Sequence, residues 1–330
     1  MATKRPFPSA EAKRFSHIVQ LRNGGAGPSL ICFPGSGGNV HIFREMAAAL
    51  PEDHSVYGID LGWLCDQTTD FTIEELATFY GDVVESLERC GCYLLCGYSF
   101  GGLLAYELAT RLVAAGHDVR AVLLLDAPNP ALLTNLSASE TTQYRKRYLV
   151  DRLKRYGDHL LSGDLKAFAG RSLAFVISRA SKPLLPLIKM AVRLTGTALP
   201  TIVRSNDPGF LRAWNAYKPK PYPKSVVCFR VEERGAEHQD DPSMGWSNCA
   251  LGGVEVHIVP GGHVGMMAMP SVRAIADVVA TYLRDSGTRP PTTDCRELPT
   301  PSSIPEATVN DVPSRGSIEF ETIQPARKLT

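Results

Sequence analysis

A serine hydroxyl attacks a carbonyl carbon only when a neighbouring base takes its proton, so a catalytic serine is recognised by its surroundings. Ser99 has such surroundings, at the centre of Gly97-Tyr98-Ser99-Phe100-Gly101 continued by Gly102. A bare G-x-S-x-G string arises often by chance. Here Tyr93-Leu94-Leu95-Cys96 reads as a strand immediately before it, and 103–113 as a helix immediately after. A sharp strand–turn–helix needs glycines on either side of the nucleophile, where side chains would collide with the tight turn. Such an elbow lifts the hydroxyl above the carboxyl edge of a sheet and aims the positive end of the next helix at developing negative charge.

The orienting acid and the base should follow in the order serine, acid, histidine, with the histidine on a loop after the last strand. Of eight histidines, His263 fits: it follows the strand-like run 254–259, sits in the turn Pro260-Gly261-Gly262-His263 and precedes a final helix. His257 lies inside that run, and His159 and His238 fall in polar segments. Asp126 ends the apolar run Ala121-Val122-Leu123-Leu124-Leu125, so its carboxylate emerges at the same sheet edge as Ser99. Asp240 and Asp241 compete, since they follow the run 226–231, and sequence order alone does not choose; Asp126 is the favoured acid. A tetrahedral oxyanion also needs donors. The backbone N–H of Phe100, directly after the nucleophile, is one. The second is assigned to Ser36 in Phe33-Pro34-Gly35-Ser36-Gly37-Gly38. That loop has neither the Gly-Lys-Ser/Thr ending of a P-loop nor a G-x-G-x-x-G spacing, which argues against nucleotide binding.

These residues need a scaffold. Residues 29–33, 55–60, 92–96 and 119–126 read as strands, 41–50 and 72–89 as helices, the latter with Leu76, Tyr80, Val83, Val84 and Leu87 along one face. Strand and helix in alternation predict a parallel sheet with right-handed crossovers. With the elbow, the expectation is an α/β-hydrolase fold: a mostly parallel central sheet flanked by helices. Residues 1–130 would form the first part of the core, 131–216 a helical lid insertion interrupted by Pro183, Pro186 and Pro200, and 217–285 the second part. Residues 286–330, rich in Pro, Ser and Thr, read as a disordered tail.

Composition narrows the setting. The 330 residues carry a formal net charge of +1, which points to neither nucleic acid nor a membrane surface. No apolar run reaches the ~18 residues of a spanning helix, and the N-terminus lacks the apolar core of a secretory signal. Eight cysteines with no C-x-x-C spacing and no histidine cluster read as buried reduced thiols of a cytoplasmic protein, with no metal and no cofactor.

The combination of the 33–38 loop, the 97–102 elbow and Leu125-Asp126 resembles the thioesterases of nonribosomal peptide and polyketide synthases. Trp214-Asn215-Ala216-Tyr217-Lys218-Pro219, Gly245-Trp246 and Val259-Pro260-Gly261-Gly262-His263 continue the pattern in order, over about 17–284. The resemblance implies release of an acyl, polyketide or peptidyl chain from the phosphopantetheine thiol of an acyl or peptidyl carrier protein. An acyl-serine intermediate would then pass to water or to an internal nucleophile. Asp126 follows Ser99 by 27 positions, a spacing similar to product-releasing rather than editing members. The chain begins with Met1 and shows no carrier domain, so it resembles a stand-alone form. The basic residues of 131–216, Arg145, Lys146 and Arg147 among them, would favour an acidic carrier, or form a solvated face. Leu184-Leu185-Pro186-Leu187-Ile188 would line an acyl tunnel or pack the lid. The rival readings are a carboxylesterase or lipase on the same fold, an acyltransferase or cyclase using an acceptor other than water, and a binding module that kept the fold.

Overall fold

The computed structural model describes residues 15–25, 27–66, 70–88, 91–131, 207–232 and 241–284, all within one compact unit. Seven strands form one sheet: β1 (Ile18–Arg22), β2 (Leu30–Phe33), β3 (Val56–Ile59), β4 (Cys92–Tyr98), β5 (Asp118–Leu125), β6 (Val226–Val231) and β7 (Val254–Val259). Their lateral order is β1-β3-β2-β4-β5-β6-β7, parallel throughout except for β1, which runs antiparallel to β3. This is the mostly parallel, helix-flanked sheet of an α/β-hydrolase fold.

Among the described residues five α-helices cover it: α1 (Arg44–Ala49), α2 (Ile73–Leu87), α3 (Phe100–Ala114), α4 (Pro208–Ala216) and α5 (Ser271–Arg284). Strand alternation sorts the core into two layers. On one face Ile31, Leu95 and Val122 meet α2, α3 and Phe210 of α4; on the other Leu30, Leu94 and Leu123 meet α1 and α5. The central strands are buried on both sides, which explains why β4 and β5 read as nearly continuous apolar runs. At the sheet's margins β1 and β7 are instead partly exposed.

The local signals were obeyed with two differences. Thr72 caps α2 in a full capping box with Glu75, and its buried face carries all five residues expected there. The helix expected over 41–50 is divided, a 3-10 turn at Val40–Phe43 capped by the Asn39 side chain leading into α1. β1 was not anticipated. It is fastened by Arg22, whose guanidinium donates to the carbonyls of Ala47, Leu50, Pro51 and His54 and so satisfies the free end of α1. Of the insertion expected over 131–216, only Ala131 and the stretch from Asp207 are among the described residues; the tail over 286–330, the basic residues from Arg145 to Arg193 and the Leu184–Ile188 run lie outside them.

The strand order sets the site. After β2 the chain turns to β3 on one side, then crosses back to β4 on the other. The order therefore reverses between β2 and β4, and the carboxyl ends of strands at such a switch point are where ligands enter open α/β sheets.

Candidate active site

Phe33 and Gly97 are the last register pair of β2 and β4, so the 34–38 loop and Ser99 leave the sheet side by side. Ser99 closes β4 and opens α3 with φ +52° and ψ −118°, a backbone conformation L-residues avoid. It is held there from both flanks. The Ser99 N–H donates to the Leu125 carbonyl at 2.9 Å, and the Gly102 N–H donates to the Ser99 carbonyl at 3.0 Å. The glycines are required by crowding. A Cβ on Gly97 would lie 2.3 Å from the Gly101 carbonyl oxygen, and one on Gly101 would lie 2.0 Å from that of Phe33.

The Phe100 N–H stands at the first turn of α3, where backbone donors lack helical partners. Its ring is buried and meets Phe71 and Phe210 edge-on, with centroids 6.4 and 4.8 Å away. Ser36 is exposed at the corner of a turn closed by the Gly38 N–H and the Gly35 carbonyl (3.0 Å), in which Gly37 takes φ +89°. This turn reaches the nucleophile: a Cβ on Gly35 would lie 3.3 Å from Cβ of Ser99. The turn that carries Ser36 and the first turn of α3 that carries Phe100 thus both lie next to Ser99.

Asp126 follows β5 with φ +45°, its N–H donating to the Phe229 carbonyl at 2.7 Å. Its carboxylate is 1 % exposed and lies 2.5 Å from Nδ1 of His263. A carboxylate there fixes the tautomer with the proton on Nδ1, leaving Nε2 free to act as base. The next residues are clamped: Trp246 Nε1 donates to the Ala127 carbonyl at 2.6 Å, and the Asn129 side chain donates to the Gly245 carbonyl at 3.0 Å. Asp241 serves this clamp. It accepts the Ser243 hydroxyl at 2.6 Å and the Gly245 N–H at 2.7 Å, closing the loop that carries Trp246. Asp240 is outside the described residues.

His263 sits on the loop after β7, half-exposed, with Gly261 at φ +87° just before it. The loop is tied at three points. Ser271 Oγ donates to the Pro260 carbonyl at 2.9 Å, the Met269 N–H donates to Glu45 of α1 at 2.8 Å, and the Tyr98 hydroxyl donates to the His263 carbonyl at 2.9 Å. The Tyr98 ring also stacks on the imidazole, centroids 4.8 Å apart and planes 20° from parallel. Sequence reasoning missed Tyr98, although it stands inside the motif, and read Trp246 only as part of a pattern. His257 bonds Glu255 at 2.5 Å and stacks on Phe229, away from this set. Among the described residues, no three His, Cys, Asp or Glu side chains are grouped to hold a metal ion.

The family model of the thioesterase domain matches residues 28–283, from the start of β2 to the end of α5. A non-reducing polyketide synthase of Pseudevernia furfuracea is 25 % identical over 280 residues, 84 % of this chain and 13 % of that protein. The polyketide synthase PksR of Bacillus subtilis is 25 % identical over 228 residues, 66 % of this chain and 9 % of that protein. The chain therefore spans only a small part of these relatives' length. Among solved structures, the NocB thioesterase domain of the nocardicin cluster aligns with a TM-score of 0.54 at 20 % identity, over 81 % of this chain and 99 % of that one. The type II thioesterase BorB of the borrelidin cluster aligns at 0.52 and 22 % identity, over 82 % and 97 %. These two agree with the fold, and the family match, covering all but the first strand of the sheet, settles membership: the chain belongs to the thioesterase domain family, on an α/β-hydrolase fold.

Proposed function

We propose that the chain is a product-releasing serine thioesterase acting on an acyl or peptidyl chain bound to the phosphopantetheine of a carrier protein. Ser99 Oγ attacks the thioester carbonyl as Nε2 of His263 takes its proton, and Asp126 holds the imidazole and offsets its charge. The N–H groups of Ser36 and Phe100 receive the oxyanion. Collapse breaks the C–S bond, the pantetheine sulfur leaves with the proton from His263, and an acyl-Ser99 ester remains. Water, or a hydroxyl or amine of the chain itself, then gives its proton to His263 and attacks that ester, and Ser99 is regenerated. The observation that carries this reading is the 2.5 Å contact between His263 and buried Asp126 beside a strained serine elbow. The burial of Cys32, Cys96, Cys228 and Cys249 as thiols supports a reducing, cytoplasmic setting.

Acyl thioesters of several lengths, on a pantetheine mimic and on a carrier protein, test it when product masses are recorded. The parent should turn over the carrier-bound substrate faster, and Ser99→Ala should lose at least about a thousandfold in kcat. Ser99→Ala retaining most activity sinks the serine mechanism. Turnover of free esters with none of thioesters moves the chain to the carboxylesterase reading. A product one water lighter than the free acid identifies cyclisation.

A further inference from the structure

Tyr98 and His263 are 165 positions apart, yet one side chain touches both the ring and the backbone of the other. Tyr98 is 6 % exposed and shares a core layer with Val259, Met266 and Met267, the residues that bracket the His263 loop. It is also joined by a peptide bond to Ser99. We propose that Tyr98 is a positioning residue that sets the place of the His263 imidazole relative to Ser99, through its ring and its hydroxyl separately. The proposal rests on the serine-thioesterase reading above.

The two contacts do different work. Glycines at 261, 262 and 265 surround His263, so this loop has little stiffness of its own. The hydroxyl bond to the His263 carbonyl supplies a fixed point on the nucleophile's own strand. The ring lies under the imidazole face. When His263 takes the serine proton it becomes a cation, and an aromatic face favours a cation. That stabilisation is absent in the ground state and present once the proton has moved, so it acts on kcat rather than on KM. The charged group on the imidazole is Asp126, from the turn after β5; from α1, Glu45 reaches the same loop and accepts the Met269 N–H.

The test compares parent, Tyr98→Phe, Tyr98→Leu and Ser99→Ala on one acyl-pantetheine thioester from pH 5 to 8, with Tm measured for each. Tyr98→Phe keeps the ring and loses the tether: kcat should fall about fivefold with KM unchanged and the acidic limb of the pH profile in place. Tyr98→Leu should lower kcat further and move that limb about half a unit to lower pH, because the imidazolium has lost its aromatic face. Folded variants with kcat within twofold of the parent overturn the proposal. So does a Tyr98→Leu loss confined to KM with the limb unmoved, which packing alone would give. Should Tyr98→Leu not fold, Tyr98→Phe decides by itself, and unchanged kcat overturns the tether. An active Ser99→Ala defeats the serine reading instead. With Ser99→Ala inactive, unaltered Tyr98 variants defeat only this proposal.

Discussion

Asp126 and Asp241 stand beyond neighbouring strands at one edge of the sheet, and their hydrogen bonds separate their roles. Asp241 is occupied by Ser243 and Gly245, while Asp126 holds Nδ1 of His263. Asp126→Asn keeps the shape but presents an amide, which favours the wrong imidazole tautomer; kcat should fall about ten-thousandfold with Tm little changed. Asp241→Asn should lower Tm through the Trp246 loop and leave kcat within several-fold. Steady-state rates and melting curves on both variants check this, and a reversed pattern would assign the acid to Asp241. At this scale the sequence carried residue types and chain order, enough to nominate Ser99 and His263. The acid was narrowed rather than chosen, because a carboxylate after β5 and one after β6 satisfy the same order rule.

At the scale of elements, the elbow depends on three backbones in near contact. Gly101→Ala would place its methyl against the Phe33 carbonyl, so α3 or β2 must shift. The expected cost is about 1–3 kcal/mol or more of stability, with most activity lost because Ser99 and the 34–38 turn move apart. Thr72→Ala provides the contrast. It removes the α2 capping box, about 1 kcal/mol, on a helix that contributes no residue to the site. A Tm drop with unchanged kcat is expected, and activity loss from Thr72→Ala equal to that from Gly101→Ala would refute the distinction. Elements with a strong local signal were legible, as α2 and β4 were. The division at Val40–Phe43 was less so, because the apolar spacing of 41–50 suits one helix and the Asn39 cap decides otherwise. β1 escaped because a half-exposed strand at the sheet's margin has a short and diluted pattern.

Two histidines away from the candidate site tie the whole molecule's stability to pH. His17, stacked on Trp63 with centroids 4.9 Å apart, has its pKa lowered by burial, against the pull of Asp60. His41 is lowered by burial and then by Arg44. A histidine that resists charging when folded stabilises the protein above its unfolded pKa, about 6.5, and the benefit is lost as pH falls below that through the lowered folded value. The urea midpoint should therefore be lower at pH 5 than at pH 7, and His17→Gln with His41→Gln should flatten the difference. A midpoint equally pH-dependent in the double variant would assign the effect elsewhere.

What the sequence by itself determined is whatever short-range rules govern: glycines around a serine, an apolar face at helical spacing, buried strands, a histidine after the last strand. Those rules act over a few residues, so they survive without knowledge of the fold. Only the tertiary structure decided the lateral order of the strands, which puts the switch point between β2 and β4, and the bonding of Asp126 to His263. It alone revealed the Trp246 clamp on Ala127 and the Tyr98 stack on His263. The three side-chain contacts each join residues more than a hundred positions apart, and they are set by which strands lie side by side and how loops close over their ends.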